Sequence, residues 1–409
     1  SLGVCDTAGL YLPATLYKTV TADENDNQVI EFKDRNGLVI LKKVQLTAGR
    51  DNGSGKGYTG WLCTYYIYDD LDRLRVVIQP RGVELLQANN WNIASLSGHI
   101  LNEQCFRYEY DAAGRMIIKK IPGAGQIWMT YDARNRLAMV QDSNMRAVSK
   151  WQITLYDNLN RPVKTGVWNN GNDLTYHHPR ADTAVNYPFS TEPGSGWELL
   201  THTGYDGYDD IPGASGLTGT LDNTHINAVN FVTSYHTAPS YAEEIKTASC
   251  VRGLATWRKT KILGATSDYL YSVNLYDDKG RQIQVKSTNI TGGTDITTTQ
   301  YSFSGTVLRI HLRHQKSGST THSIATRNNY DSLQRVIGID KKLNDEDWKT
   351  IVTMTYDALG QLKQKKLGED PDNPGFPLES ISYDYNIRGW LLGANRNYAK
   401  DESNTDNYF

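Results

Sequence analysis

The chain has little cysteine, little phenylalanine and no surplus of charge. Four cysteines, Cys5, Cys63, Cys105 and Cys250, are scattered through 409 residues, and none stands at CxxC spacing. That argues against a structural zinc site and leaves either reduced core thiols or up to two disulfides. A formal net charge of -2 gives no electrostatic case for nucleic acid or a membrane surface. No run of about 18 apolar residues exists, so no membrane span is expected. No basic, apolar, small-residue leader opens the chain, which puts any secretion signal upstream or already removed. Long helical periods are missing as well.

What the chain has instead is tyrosine, 26 residues against seven phenylalanines. Many stand in one recurring phrase. It begins at Tyr68 (YDDLDRLRVVI), Tyr110 (YDAAGRMII), Tyr131 (YDARNRLAMV) and Tyr156 (YDNLNRPVKTG). It returns at Tyr276 (YDDKGRQIQV), Tyr330 (YDSLQRVIGI) and Tyr356 (YDALGQLKQKK). Around Tyr110, Phe106, Tyr108 and Tyr110 share one face of an extended strand, and Met116 and Ile118 share a face of the next. Between them, an Asp that opens a tight turn accepts hydrogen bonds from backbone N–H groups further on. These are Asp69, Asp111, Asp132, Asp157, Asp277, Asp331 and Asp357.

The fourth position after Tyr reads Asp72, Gly114, Asn135, Asn160, Gly280, Gln334 and Gly360. Six of the seven are residues that tolerate the left-handed region, which predicts a hairpin loop. The fifth position is Arg73, Arg115, Arg136, Arg161, Arg281 and Arg335, with Gln361 the exception. Its planar fork is placed to bond the turn Asp or a neighbouring backbone carbonyl. Degraded copies start at Phe32, with Asp34 and Gly37 at turn spacing, at Tyr301, with Ser302 and Thr306, and at Tyr383.

Successive phrases are separated by two strands and two turns. A lone hairpin is marginal in water, so the units must stack edge to edge. The expected fold is all-β, built of repeated antiparallel hairpins. Residues 1–165 form an N-terminal set of repeats and 251–409 a C-terminal set. Between them, 166–250 is a loop-rich insertion and the first candidate surface for a partner.

Tyr-Asp-x-x-Gly-Arg-apolar at these intervals resembles the YD repeat of the Rhs family, which includes bacterial Rhs toxins, the C component of insecticidal Tc complexes and the teneurins. Within it, the chain looks most like surface Rhs-type proteins of Bacteroidetes. The resemblance implies a curved, spiralling sheet that forms part of a hollow shell around a polypeptide cargo such as a C-terminal toxin. It implies a secreted or outer-surface bacterial location. The family's self-cleavage site contains Asp-Pro, but Asp370-Pro371 lacks its flanking pattern, so the chain is expected to be a segment of something longer.

His177 and His178 are adjacent, and His311 and His314 are three apart on an expected strand; both arrangements put the rings on opposite faces if extended. No HExxH motif, nucleophile elbow or phosphate loop occurs. The reading is therefore a non-enzymatic protein with no cofactor or metal. Its partner is a polypeptide cargo or another part of the same protein, with no nucleic acid. The alternative is a cell-surface adhesion or glycan-binding module.

Overall fold

The computed structural model describes residues 11–396, apart from 13, 48, 52, 93–98, 190–193, 265–267, 371, 372 and 374. Cys5 and Pro371 thus lie outside the described residues. Two compact units are present, 1–200 and 201–409.

The first unit is an antiparallel meander: β1 (Tyr17–Ala22), β2 (Gln28–Lys33), β3 (Val39–Gln45), β4 (Trp61–Tyr68), β5 (Leu74–Ile78), β6 (Cys105–Tyr110), β7 (Met116–Lys120), β8 (Gln126–Tyr131), β9 (Leu137–Gln141), β10 (Lys150–Tyr156) and β11 (Pro162–Asn169). Each pairs with the next in chain order. Period two is plain in β10, where Trp151, Ile153 and Leu155 are buried.

Four short helices, which the sequence reading did not find, join these strands: α1 (Pro80–Ala88), α2 (His99–Glu103), α3 (Ser143–Ala147) and α4 (Leu174–Ala181). Helix α1 begins with Pro at its first position, and Asp142 and Asp173 cap α3 and α4 through their side chains. Val83 and Leu86 of α1 enter a core with Val76, Ile78, Cys63 and Cys105. The "YHHPR" segment is part of α4 and not extended.

The second unit repeats the plan with β12 (Trp197–Tyr205, which begins in the first unit), β13 (Ala255–Lys261), β14 (Tyr269–Tyr276), β15 (Gln282–Thr288), β16 (Thr294–Tyr301), β17 (Val307–Gln315), β18 (Thr321–Tyr330), β19 (Val336–Leu343), β20 (Lys349–Tyr356), β21 (Leu362–Leu367), β22 (Glu379–Tyr385) and β23 (Leu391–Ala394). Neighbours in sequence are again antiparallel partners. The segment 166–250 is not loop alone: it holds the end of β11, helix α4 and β12.

All seven fourth positions have positive φ, from 59° at Asp72 and Asn135 to 81° at Gly360, with Gln334 among them at 62°. A bulge precedes each hairpin, as between Glu109 and Tyr110. Two degraded copies obey the same rule, with Gly37 at 84° and Gly305 at 95°. The third corrects the sequence reading. Its turn is keyed to Tyr385 and not Tyr383, because Asn386 accepts from Arg388 N and Trp390 N and Gly389 is the left-handed residue. Asn in place of the turn Asp hid the register.

A Cβ at Gly114 would meet no atom within 4 Å, so only backbone strain opposes a side chain there. Gly114→Val is therefore expected to cost about 1–3 kcal/mol and Gly114→Asn much less. Hydrogen exchange should show the loss spreading first to the neighbouring hairpin at Tyr131; equal protection in the two variants would contradict this.

Candidate functional site

The turn row is the most regular feature of both units. Tyr68, Tyr110, Tyr131, Tyr156, Tyr276, Tyr330 and Tyr356 each end a strand. In the Tyr110 turn, Asp111 Oδ1 accepts from Arg115 N at 2.8 Å and Oδ2 accepts from Arg115 Nε at 2.6 Å. Gly114 N donates to Asp111 O, and Asp111 N to Arg115 O. The same Nε contact joins Asp69 to Arg73, Asp132 to Arg136, Asp157 to Arg161, Asp277 to Arg281 and Asp331 to Arg335. Asp357 has no arginine at the fifth position and its Oδ1 accepts from the backbone N–H groups of Leu359 and Gln361 instead.

Five of these turns are also tied to the next hairpin through their arginine. The guanidinium of Arg73 stacks over Tyr110, Arg115 over Tyr131, Arg136 over Tyr156, Arg281 over Tyr301 and Arg335 over Tyr356, at 4.5–5.3 Å. The same tyrosine donates its hydroxyl to the carbonyl just past the arginine position: Tyr110 to Leu74, Tyr131 to Met116, Tyr156 to Leu137, Tyr301 to Gln282, Tyr356 to Val336. Arg73, Arg136 and Arg281 add a third tie, from Nη1 to the first carbonyl of the following turn. The arginine thus bonds both the Asp and a backbone carbonyl.

Burial alone would raise the turn carboxyls, yet hydrogen bonds from Arg73 hold Asp69 down at about 2. Asp111, Asp132 and Asp157 are lowered against the same opposition from burial, by bonds from Arg115, Arg136 and Arg161. For Asp331 the backbone N–H of Arg335 is the leading cause.

A second feature had no forecast from the sequence. In each unit, buried polar side chains on a sheet face grip the backbone of loops, turns or a helix packed against it. Lys43 Nζ donates to the carbonyls of Gly55 and Gly57. Lys120 Nζ donates to Asn102 O and Ala124 O, both at 2.7 Å. In the second unit Lys286 donates to Thr218 O and Thr220 O. Gln284 bonds both N–H and C=O of Asp222, and Gln300 does the same with Val232. Burial lowers all three lysines from their usual value. The signal was available in the spacing: Lys120 is two residues beyond Ile118, on the same face.

These contacts show what the residues after β12 do. Residues 206–254 lie on the sheet of the second unit. Phe231 and Ile245 pack with Trp257, Val273, Leu275 and Ile283, and Asp222 pairs with Arg313 at 2.7 Å.

No family model and no curated protein matches the chain. Among solved structures it is similar to a Tc holotoxin pore of Photorhabdus luminescens, at 16% identity and TM-score 0.38, over 90% of this chain and 16% of that one. It is also similar to the TcdB2-TccC3 complex, at 16% identity and TM-score 0.38, over 94% of this chain and 18% of that one. A form of that complex without its hypervariable C-terminal region gives 16%, 0.39, 92% and 18%. The chain spans less than a fifth of each. Likeness at this level assigns neither activity nor partner.

Three of the histidines are held by neighbouring side chains. His177 is fully buried, bonded by Tyr187 and Asn170 and ringed by Trp151 and Trp168. His311 is buried and stacks on His225, whereas His314, on the opposite face, bonds Asp295. Cys63 and Cys105 are buried, and Cys250 is exposed. Among the described residues, no helix is long and apolar enough to cross a membrane.

Burial depresses both His177 and His311 from 6.5 to about 4. Between those values the unfolded chain binds the proton and the folded chain does not, so stability present above pH 6.5 falls as pH drops toward 4. Denaturant titrations across this range are expected to show that fall, flattened in the second unit by His311→Gln. The Asp69 carboxyl adds a further loss between pH 3.8 and about 2.

Asp132 is 0% exposed and Arg136 8%, whereas Asp69 and Arg73 are 19% and 25% exposed. Arg136→Ala strands a buried carboxylate and is expected to cost about 3–5 kcal/mol. Arg73→Ala should cost about 1 kcal/mol. Equal losses in urea unfolding would contradict the difference in burial.

Proposed function

We propose that the chain is a wall segment of a larger β shell that encloses or displays another polypeptide, and that it performs no chemistry itself. One observation carries this reading. The sheet holds irregular chain through side chains that bond backbone groups, as Gln284 and Gln300 bond both peptide groups of Asp222 and Val232. Contacts of that kind do not read sequence, which suits a surface that must hold unrelated polypeptide. The stapled turn row supports the same reading, because it makes each hairpin a rigid platform for the next.

Such a protein belongs outside the cell, secreted or on the outer bacterial surface. The resemblance of its repeats to the Rhs type favours a toxin-like cargo.

Limited proteolysis tests the proposal. A polypeptide expressed in the same reading frame as the chain is expected to resist protease while the chain is folded. It should be digested once urea unfolds the chain. Equal digestion in both states would remove the reading.

A further inference from the structure

The turn row already binds other chain segments through charged or amide side chains, and one of them, in the second unit, lies alongside a turn as a short bridge. In the first unit Asp182 bonds Arg115 Nη2 at 2.6 Å, beside the 132–136 turn, and Asn186 bonds Arg136 Nη2 at 2.9 Å. In the second, Tyr241–Ala242–Glu243 runs alongside the 302–306 turn: Phe303 N donates to Tyr241 O, and Glu243 N to Tyr301 O. Its Glu243 carboxylate is held by Lys279 at 2.6 Å and by Arg281.

The next interval along the row is open. A groove of about 610 Å³ lies between the 302–306 and 331–334 turns. Its walls include Tyr241, Phe303, Thr306, Asn328 and Arg309. Here the repeat has lost its own ion pair, since Ser302 and Thr306 replace Asp and Arg and bond each other at 2.6 Å.

One cation of the groove has no carboxylate bonded to it. Asp331 is engaged by Arg335. Arg309 has no hydrogen bond or ion pair among the described residues, and Arg327 is its direct cross-strand partner. Like charges so placed repel. Arg309, Arg327 and Lys342 all lie within 6 Å of the Trp348 ring centroid, which has only two faces to offer. The nearby carboxylate, Asp340, is taken by Arg327, Asn329 and Thr350.

We propose that this groove docks an extended acidic polypeptide segment, with Arg309 receiving its carboxylate as Arg281 receives that of Glu243. The proposal rests on the shell reading above and names the chemistry of what the wall holds. Phe303, 67% exposed, supplies an apolar contact for the docked chain.

Fluorescence anisotropy with a labelled, end-blocked Tyr-Ala-Glu-Glu-Ile peptide tests it on the full chain. Saturable binding is expected, weaker by on the order of tenfold for the Tyr-Ala-Gln-Gln-Ile peptide and for Arg309→Gln. Arg309→Lys should restore part of the affinity. Phe303→Ala, at an exposed position that does not threaten folding, should weaken it too. Equal affinity for the two peptides, or indifference to both Arg309→Gln and Phe303→Ala, would overturn the proposal. So would binding of a polyglucuronate oligosaccharide without binding of the peptide, which would give the groove to a glycan. Peptide binding without protease protection of cargo defeats the shell reading alone; protection without peptide binding defeats the groove alone.

Discussion

Everything regular in this protein depends on the tie between an arginine in one turn and a tyrosine in the next hairpin. The tie has two parts that fail differently. The guanidinium over the ring is electrostatic and dispersive and tolerates small shifts. The hydroxyl bond, from Tyr110 to Leu74 O for example, fixes the register of one hairpin on the previous one. Strand pairing alone would leave that register to the pattern of side chains, and a slip of one residue would exchange the faces. Where the arginine is missing, the hydroxyl still serves: Tyr330 reaches Val307 O at 2.8 Å across the turn that has Thr306.

The polar interior of the sheet face follows from the same regularity. A stack of hairpins offers a long sheet face of peptide edges and side chains. Irregular chain crossing such a face brings unpaired carbonyls with it, and these need donors. Lysine and glutamine supply them with flexible reach. Burying Lys43, Lys120 and Lys286 is tolerable because each ammonium meets at least two carbonyl oxygens.

The sequence makes the hairpins legible because a left-handed turn residue has few substitutes. Asp72, Asn135 and Gly114 are different side chains answering one backbone demand, and even Gln334 yields to it. The arginine fork was legible in type. Its stacking on the following tyrosine was not, since the two partners stand 16 to 37 residues apart in sequence and nothing local links them. The helices escaped notice because five to nine residues give too short a period to read. The role of 206–254 as a cover was hidden for another reason. Its anchors, Gln284 and Gln300, bond backbone and so leave no complementary pattern in the segment they hold.

The tie also has an inheritance. Every hairpin that carries the full phrase presents an acceptor carbonyl and an arginine on its trailing side and a tyrosine on its leading side. Any trailing side therefore fits any leading side. A gene that recombines between two such phrases loses or gains a whole hairpin and leaves a joint of the same chemistry as before. The number of hairpins can then change by unequal crossover without changing the chemistry of the joints. The Ser302–Thr306 turn, joined on both sides by tyrosine hydroxyls to Gln282 O and Val307 O, shows that one worn phrase can be carried by intact neighbours.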